Sequence, residues 1–214
     1  MILSLIALIV AITIHEYSHA RAADYLGDPT PKLQGRLTLN PRAHLDIYGS
    51  LIFLFLLISG SPIIFGWGKP VVFDPFNLRQ PRRDAALISI AGPISNLSFA
   101  FICSLMLRLV FLLGPMSIFI SAFIAPLLQS LIVVNVVLAI FNLIPIHPLD
   151  GFKIVEGFLP KEQAIEWHSL ERFGYIFLIL LIFPIFGSIA PLNLLISPVI
   201  NFVLKVFLPG IPLV

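Results

Sequence analysis

Apolar and polar stretches alternate along the chain on a length scale set by membranes. Residues 1–20 form an apolar run with no charged side chain before His15, and Arg21 marks its end. At about 1.5 Å per residue, a helix of this length crosses a hydrocarbon core of about 30 Å. Residues 21–46 are a polar connector: Gly27-Asp28-Pro29 signals a turn, residues 33–39 alternate enough to predict a short strand, and Asn40-Pro41 starts another turn. Residues 47–66 are apolar but broken at Ser59-Gly60-Ser61-Pro62, and Trp67 suits a headgroup-level exit. Residues 71–84 are polar, with Lys69, Arg79, Arg82 and Arg83 in or beside them. Residues 85–113 and 117–141 predict two further spans joined at Gly114-Pro115, with Arg108 placed to snorkel. Residues 152–172 are polar and predict a surface helix or loop. Residues 173–206 are apolar but punctuated by Pro184, Gly187, Pro191 and Pro198, which predicts two short broken spans or a helical hairpin.

The basic connectors decide how residues 47–66 are read. A full span would put two basic loops on opposite sides of the membrane, which the positive-inside rule disfavours. A re-entrant hairpin bent at Gly60 and Pro62 keeps both on the cytoplasmic side and is preferred. The expected fold is an all-α polytopic membrane protein of about five to six transmembrane segments. It includes the re-entrant hairpin and a short β-like segment. Residues 1–155 are expected to form the core, and 156–214 a polar linker with a transmembrane hairpin.

Composition agrees. The chain is 58% hydrophobic and 11% charged, with mean hydropathy +1.03, whereas soluble domains carry about 25% charged residues. A net charge of +2 argues against nucleic-acid binding. One cysteine, Cys103, excludes an intrachain disulfide and reads as packing.

Candidate chemistry sits in the first run, at His15-Glu16-Tyr17-Ser18-His19. On a helix the two histidines are one turn apart on one face, so both imidazoles can reach one metal ion, with Glu16 beside them to handle a proton. Three plainer readings compete: a chance match, a signal peptide cleaved after Ala20, and helix-packing histidines. The signal-peptide reading lacks a basic first region. A metal site needs a third ligand at matching depth. Counting spans returns the chain to the same face at Asp150, although Asp-Gly is also a common turn pair. Cys103 lies too deep, and Glu156 and Glu16 are the other nearby carboxylates.

These motifs resemble the site-2 proteases, a family of intramembrane zinc metalloproteases. HEYSH is similar to that family's first motif, and NLIPIHPLDG, residues 142–151, to its second. AGPISN resembles its Gly-Pro-x-x-Asn helix. GRLTLNPRAHLD, residues 35–46, and residues 66–84 resemble the compact bacterial members without a PDZ domain. The resemblance implies one Zn2+ held by His15, His19 and Asp150, with Glu16 as the general base. It also implies that Asn142 contacts substrate or the developing oxyanion. Asn96 is either a helix–helix hydrogen-bonding residue or part of the chemistry. His44 is either a group lining the site or a solvated loop residue. Pro145 and His147 lie in a stretch, residues 142–148, expected to be extended or kinked; if extended it could pair with unwound substrate. His147 stands where relatives commonly have Pro. His168 is given no role.

The implied partners are a transmembrane protein or peptide substrate and the lipid bilayer, with no nucleic acid. The implied location is a prokaryotic cell membrane, multi-pass, with the active site nearer the cytoplasmic face. Two rivals remain at this stage. One is a different membrane zinc protease using Glu156. The other is a non-catalytic zinc-binding scaffold or transporter, against which the lack of internal repeats argues.

Overall fold

The computed structural model describes residues 2–59, 67–112, 120–183 and 190–208. Its first helix, α1 (Ile2–Leu26), continues past Arg21, which pairs with Asp24 one turn on at 3.1 Å. The buried face of α1 is a ladder of every fourth residue: Ala7, Ala11, His15, His19 and Ala23. Residues four apart stack on one side of a helix. The alanines let neighbouring backbones approach closely, and the histidines occupy the same ridge. A helix packed into the core along this stripe is an integral element of the fold.

The neighbour is α4 (Pro81–Leu112), which runs antiparallel to α1. Its start is fixed by Asp84, whose Oδ2 accepts from Gln80 N at 2.8 Å. Down the pair, His19 meets Ile88 and His15 meets Asn96, while Ala7, Ala100 and Cys103 share one apolar cluster. Cys103 is buried there, as expected for packing. Helix α5 (Ala125–Asn142) follows a π-helical turn at Ile120–Ile124 and completes the bundle through Leu128, Ile132 and Val136. These three helices are long and apolar enough to cross a membrane.

The connector after α1 differs from the sequence expectation. A short helix α2 (Thr30–Leu33) is followed by tight turns, with Gly35 at φ +69°. No strand forms at 33–39 because its backbone groups are spent locally, Gln34 N on Thr30 O and Arg36 N on Pro31 O. The β-like element is a single antiparallel bridge, Leu45 to Gly68.

That bridge ties together the two ends of the apolar segment between them. Its helix, α3 (Ile47–Ile58), starts on an Asp46 cap that accepts from Gly49 N at 2.9 Å. Twelve residues rise about 18 Å, short of a hydrocarbon core. The proposed bend at Gly60 and Pro62 lies outside the described residues, as do the Gly114-Pro115 turn and the breaks at Pro184 and Gly187.

After α5 the chain reverses. The stretch expected to be extended or kinked is a series of turns, with Ile146 N bonded to Ile144 O and Leu149 N to Ile146 O, both at 2.8 Å. Two prolines remove donors there, and Ile144, Ile146 and Leu149 donate within the turns, so the stretch offers no extended edge. Helices α6 (Asp150–Phe158) and α7 (Lys161–Ser169) follow, as the polar pattern predicts, then α8 (Gly174–Ile182) and α9 (Pro191–Phe207). Leu204 of α9 joins the main core. Arg108 and Ser104 bond to Val206 O at 2.7 Å and Phe207 O at 2.5 Å, closing the end of α9.

Candidate metal centre

The ridge on α1 places His15 and His19 with their Nε2 atoms 3.0 Å apart. Asp150, in the first turn of α6, brings Oδ2 to 3.0 Å from one Nε2 and 3.3 Å from the other. Both histidines are buried. Their other ring nitrogens face acceptors: His15 Nδ1 lies 2.6 Å from Asn96 Oδ1, and His19 Nδ1 lies 2.7 Å from Ile88 O. A carbonyl oxygen can only accept at Ile88, so His19 Nδ1 carries the proton, and the Asn96 amide oxygen sets the same tautomer on His15. Both Nε2 lone pairs then point at Asp150. Asp150 Oδ2 is itself buried and accepts no conventional hydrogen bond. Three lone-pair atoms converging at this distance repel unless a proton or a metal cation sits among them. Among the described residues this is the one group of His, Cys, Asp or Glu with metal-binding geometry. Two imidazoles and one carboxylate, with a position left over, are a donor set that suits catalytic zinc.

Asn96 is wholly buried, and both protons of its amide are used, one on Ala11 O at 3.0 Å and one on Asn135 Oδ1 at 2.7 Å. Asn135 is anchored in turn on Leu131 O. Asn96 ties α1, α4 and α5 together, as the helix–helix reading expects, and it also contacts the His15 ring. Asn135 is not apparent from the motifs. The available signal was one amide inside the apolar run Val133-Val134-Asn135-Val136, which is costly at that depth.

Two glycines make the approach possible. A Cβ on Gly92 would lie 2.5 Å from His19 Nε2 and 2.6 Å from His15 Cε1, so the Gly92-Pro93 pair marks close contact with the imidazoles. A Cβ on Gly151 would overlap the carbonyls of Leu143 and Ile144, so the glycine lets α6 begin tight against the reversal that carries Asp150.

Glu16 points to the neighbouring side. Its Oε2 accepts from Val71 N at 2.9 Å and lies 4.0 Å from Arg36 Nη2. Arg36 is buried and donates to the carbonyls of Ala43 and Lys69. Burial lowers the pKa of its guanidinium, and Glu16 pushes back. Sequence reasoning gave Arg36 no role.

The remaining candidates are not among the three converging donors. His44 is fully buried, which rules out the solvated-loop reading; its Nε2 bonds to Thr38 O at 2.6 Å, and its backbone carbonyl accepts from Lys69 N. Asn142 donates to Leu138 O at 3.0 Å. Pro145 and His147 line an apolar cleft of about 430 Å³ together with Phe152, Trp167 and Phe177. His147 stacks edge-on with Phe152 and Tyr175. His168 is exposed and faces Glu156 and Glu171 at 3.2 and 3.6 Å.

Comparison with known proteins points the same way. The profile of Peptidase family M50 matches residues 109–183. YwhC of Bacillus subtilis (strain 168), named as a zinc metalloprotease, is 40% identical over 182 residues, covering 84% of this chain and 80% of YwhC. Rip2 of Mycobacterium tuberculosis (strain ATCC 25618 / H37Rv), named likewise, is 29% identical over 81% of this chain and 63% of its own length. Rip2 of Mycolicibacterium smegmatis is 27% identical, with 64% of its length covered. No solved structure matches the chain.

Proposed function

The chain belongs to peptidase family M50, the site-2 proteases, and on that premise we propose that it cleaves a peptide bond in or near a transmembrane segment of another membrane protein. It is a zinc metalloprotease and an integral membrane protein. His15, His19 and Asp150 are assigned as zinc ligands and Glu16 as general base. The observation that carries this reading is the convergence of the three donor atoms beside Glu16, at the end of an apolar run with no charge before His15. Intramembrane ionisable groups are functional by default because their burial is expensive.

Zinc, when bound, supplies Lewis acidity to activate water and polarise a carbonyl. The chain's residues supply the rest. Asn96 and Ile88 O hold the two imidazoles in one tautomer. Glu16, with Oε2 occupied by Val71 N, keeps Oε1 to take the proton of the attacking water and pass it to the leaving amine. Asn142 spends one amide proton on Leu138 O, and its second N–H is the donor assigned to the substrate oxygen. A helical substrate hides its carbonyls in i→i−4 bonds, so it unwinds before cleavage. The Leu45–Gly68 bridge offers an edge to hold the unwound chain. The basic residues of 21–46 and 69–83 support an orientation in which this face of the bundle, and the site with it, lies toward the cytoplasm of a prokaryotic cell. The substrate is a regulatory membrane protein or a signal-peptide remnant.

Zinc content and cleavage of a single-span substrate in detergent, wild type beside Glu16→Gln, test this reading. One zinc per chain in both, with cleavage only in the wild type, is the expected result. Zinc in both without cleavage across a substrate panel would favour the scaffold alternative, and no zinc in either would undo the assignment.

A further inference from the structure

We propose that Arg36 is a positioning residue for Glu16: its guanidinium locks together the two loops that hold one oxygen of the Glu16 carboxylate and leave the other free. The inference rests on Glu16 being the base and extends it to how the base is aimed.

Arg36 is only 5% exposed, and a charge so buried must be compensated by its neighbours. Its neighbours are three oxygens from three places in the sequence. Nη1 donates to Ala43 O, just before the Leu45–Gly68 bridge; Nη2 donates to Lys69 O, just after it; and Nη2 lies 4.0 Å from Glu16 Oε2. The planar guanidinium offers these donors in a fixed fork, which a lysine cannot copy.

Arg36 acts on Glu16 by two routes. Its charge attracts Oε2 directly. It also fixes Lys69, two residues before Val71, whose N–H donates to the same Oε2 at 2.9 Å. Oε2 is thus the held oxygen. Oε1 accepts no hydrogen bond among the described residues and faces Gly68, where a Cβ would stand 3.7 Å away. A carboxylate pinned by one oxygen keeps the other at a defined angle to the histidine one residue before it. Without the guanidinium, the bridge would lose the tie across Ala43 and Lys69, and Glu16 would lose both its charge partner and the fixed position of Val71 N.

None of the Arg36 contacts touches His15, His19 or Asp150. Loss of Arg36 should therefore reduce turnover while leaving metal in place, which separates aiming the base from building the metal site.

The experiment compares wild type, Arg36→Ala, Arg36→Lys and Glu16→Gln as full chains in detergent, measuring zinc per chain, thermal unfolding, and kcat and KM on a single-span substrate. Arg36→Ala is expected to keep one zinc per chain and a KM near wild type, with kcat lowered roughly 10–100-fold, the range seen when a supporting contact of a metal site is removed. Added methylguanidinium should restore part of that kcat, and Arg36→Lys should fall between. Wild-type kcat in Arg36→Ala, or a kcat loss that only tracks zinc loss and lowered melting, would overturn the proposal. If Arg36→Ala does not fold, Arg36→Lys decides: reduced kcat with wild-type zinc and melting upholds it, and wild-type kcat refutes it. The Glu16→Gln arm keeps the two ideas apart. An active Glu16→Gln removes the base assignment and this proposal with it, whereas an inactive Glu16→Gln beside a fully active Arg36→Ala removes Arg36 alone.

Discussion

Around His15 and His19 the contacts come from helices; around Glu16, one residue away, they come from loops. The imidazoles are held by Asn96 and Ile88 of α4 and by Asp150 in the first turn of α6, with Gly92 leaving room for the rings. The carboxylate is held by Val71 and Arg36, from two connectors joined at one β-bridge. Helix contacts are fixed by register, and a misplaced atom there displaces the metal. Loop contacts set the angle of one side chain, and a fault there should slow the reaction and spare the metal. The two sides of the site should therefore fail differently.

The largest effect is expected from Asp150→Ala, which should lose zinc and activity together. Glu16→Gln should lose activity alone. Zinc retained by Asp150→Ala at wild-type affinity would remove Asp150 from the ligand set and merge the two sides.

A matched pair of glycines sharpens the contrast. Gly92→Ala drives a methyl into both imidazoles, packed between two helices that cannot part without breaking the core, and zinc occupancy should fall more than about tenfold. Gly68→Ala meets chiefly the Ile12 Cγ2 methyl at 2.6 Å, the end of a side chain able to move. It should keep its zinc and lose part of kcat. Metal analysis of both variants checks this, and the reverse pattern would break the comparison.

Asn135→Ala acts one step further out. It leaves one proton of the buried Asn96 amide without its acceptor, a loss worth about 1–3 kcal/mol where it is not relieved. Zinc affinity, read by competition with a chelator, should weaken by less than the 10–100-fold expected for Asn96→Ala. Equal affinity in Asn135→Ala and wild type would confine the orienting network to Asn96.

The helix-built side was legible in the sequence and the loop-built side was not, for a physical reason. His15 and His19 are four apart, and a helix turns that spacing into a shared face whatever surrounds it. Asp150 could be placed by counting spans, since a membrane permits only two faces. Asn135 carries a weaker signal of the same kind, a lone amide in an apolar run. Arg36, by contrast, reads as one more basic residue of a connector, and only the Leu45–Gly68 bridge brings it to Glu16. The missing strand at 33–39 has the same origin: alternation is a rule for sheets, and this segment has no partner strand among the described residues, so its turns close on themselves. His44 illustrates it again, wholly buried inside a segment whose polarity suggested solvent.

The loop side has its own foundation, and the smallest predicted effect tests it. Asp28, just beyond α1, is fully buried and accepts from Thr30 N at 3.0 Å, Asp74 N at 2.7 Å and Asn77 Nδ2 at 2.8 Å. It pins the far end of the segment that carries Val71. Burial works against ionisation of Asp28, but the hydrogen bonds from Thr30, Asn77 and Asp74 outweigh it and hold its carboxyl below the usual carboxylate range. A carboxyl with a lowered folded pKa adds stability in full above its unfolded value, about 3.9, and that stability is lost as pH falls through the folded value. Asp28→Asn has nearly the same shape without the charge, and it resembles the protonated wild type. The melting temperature of Asp28→Asn should therefore lie below wild type near neutral pH, and the gap should close as pH drops below about 4. Zinc content should not change, because no Asp28 contact reaches α4 or α6. A gap that persists unchanged into acid would mean that the Asp28 charge contributes nothing, and that the loops around Glu16 are held by the Arg36 tie and the β-bridge alone.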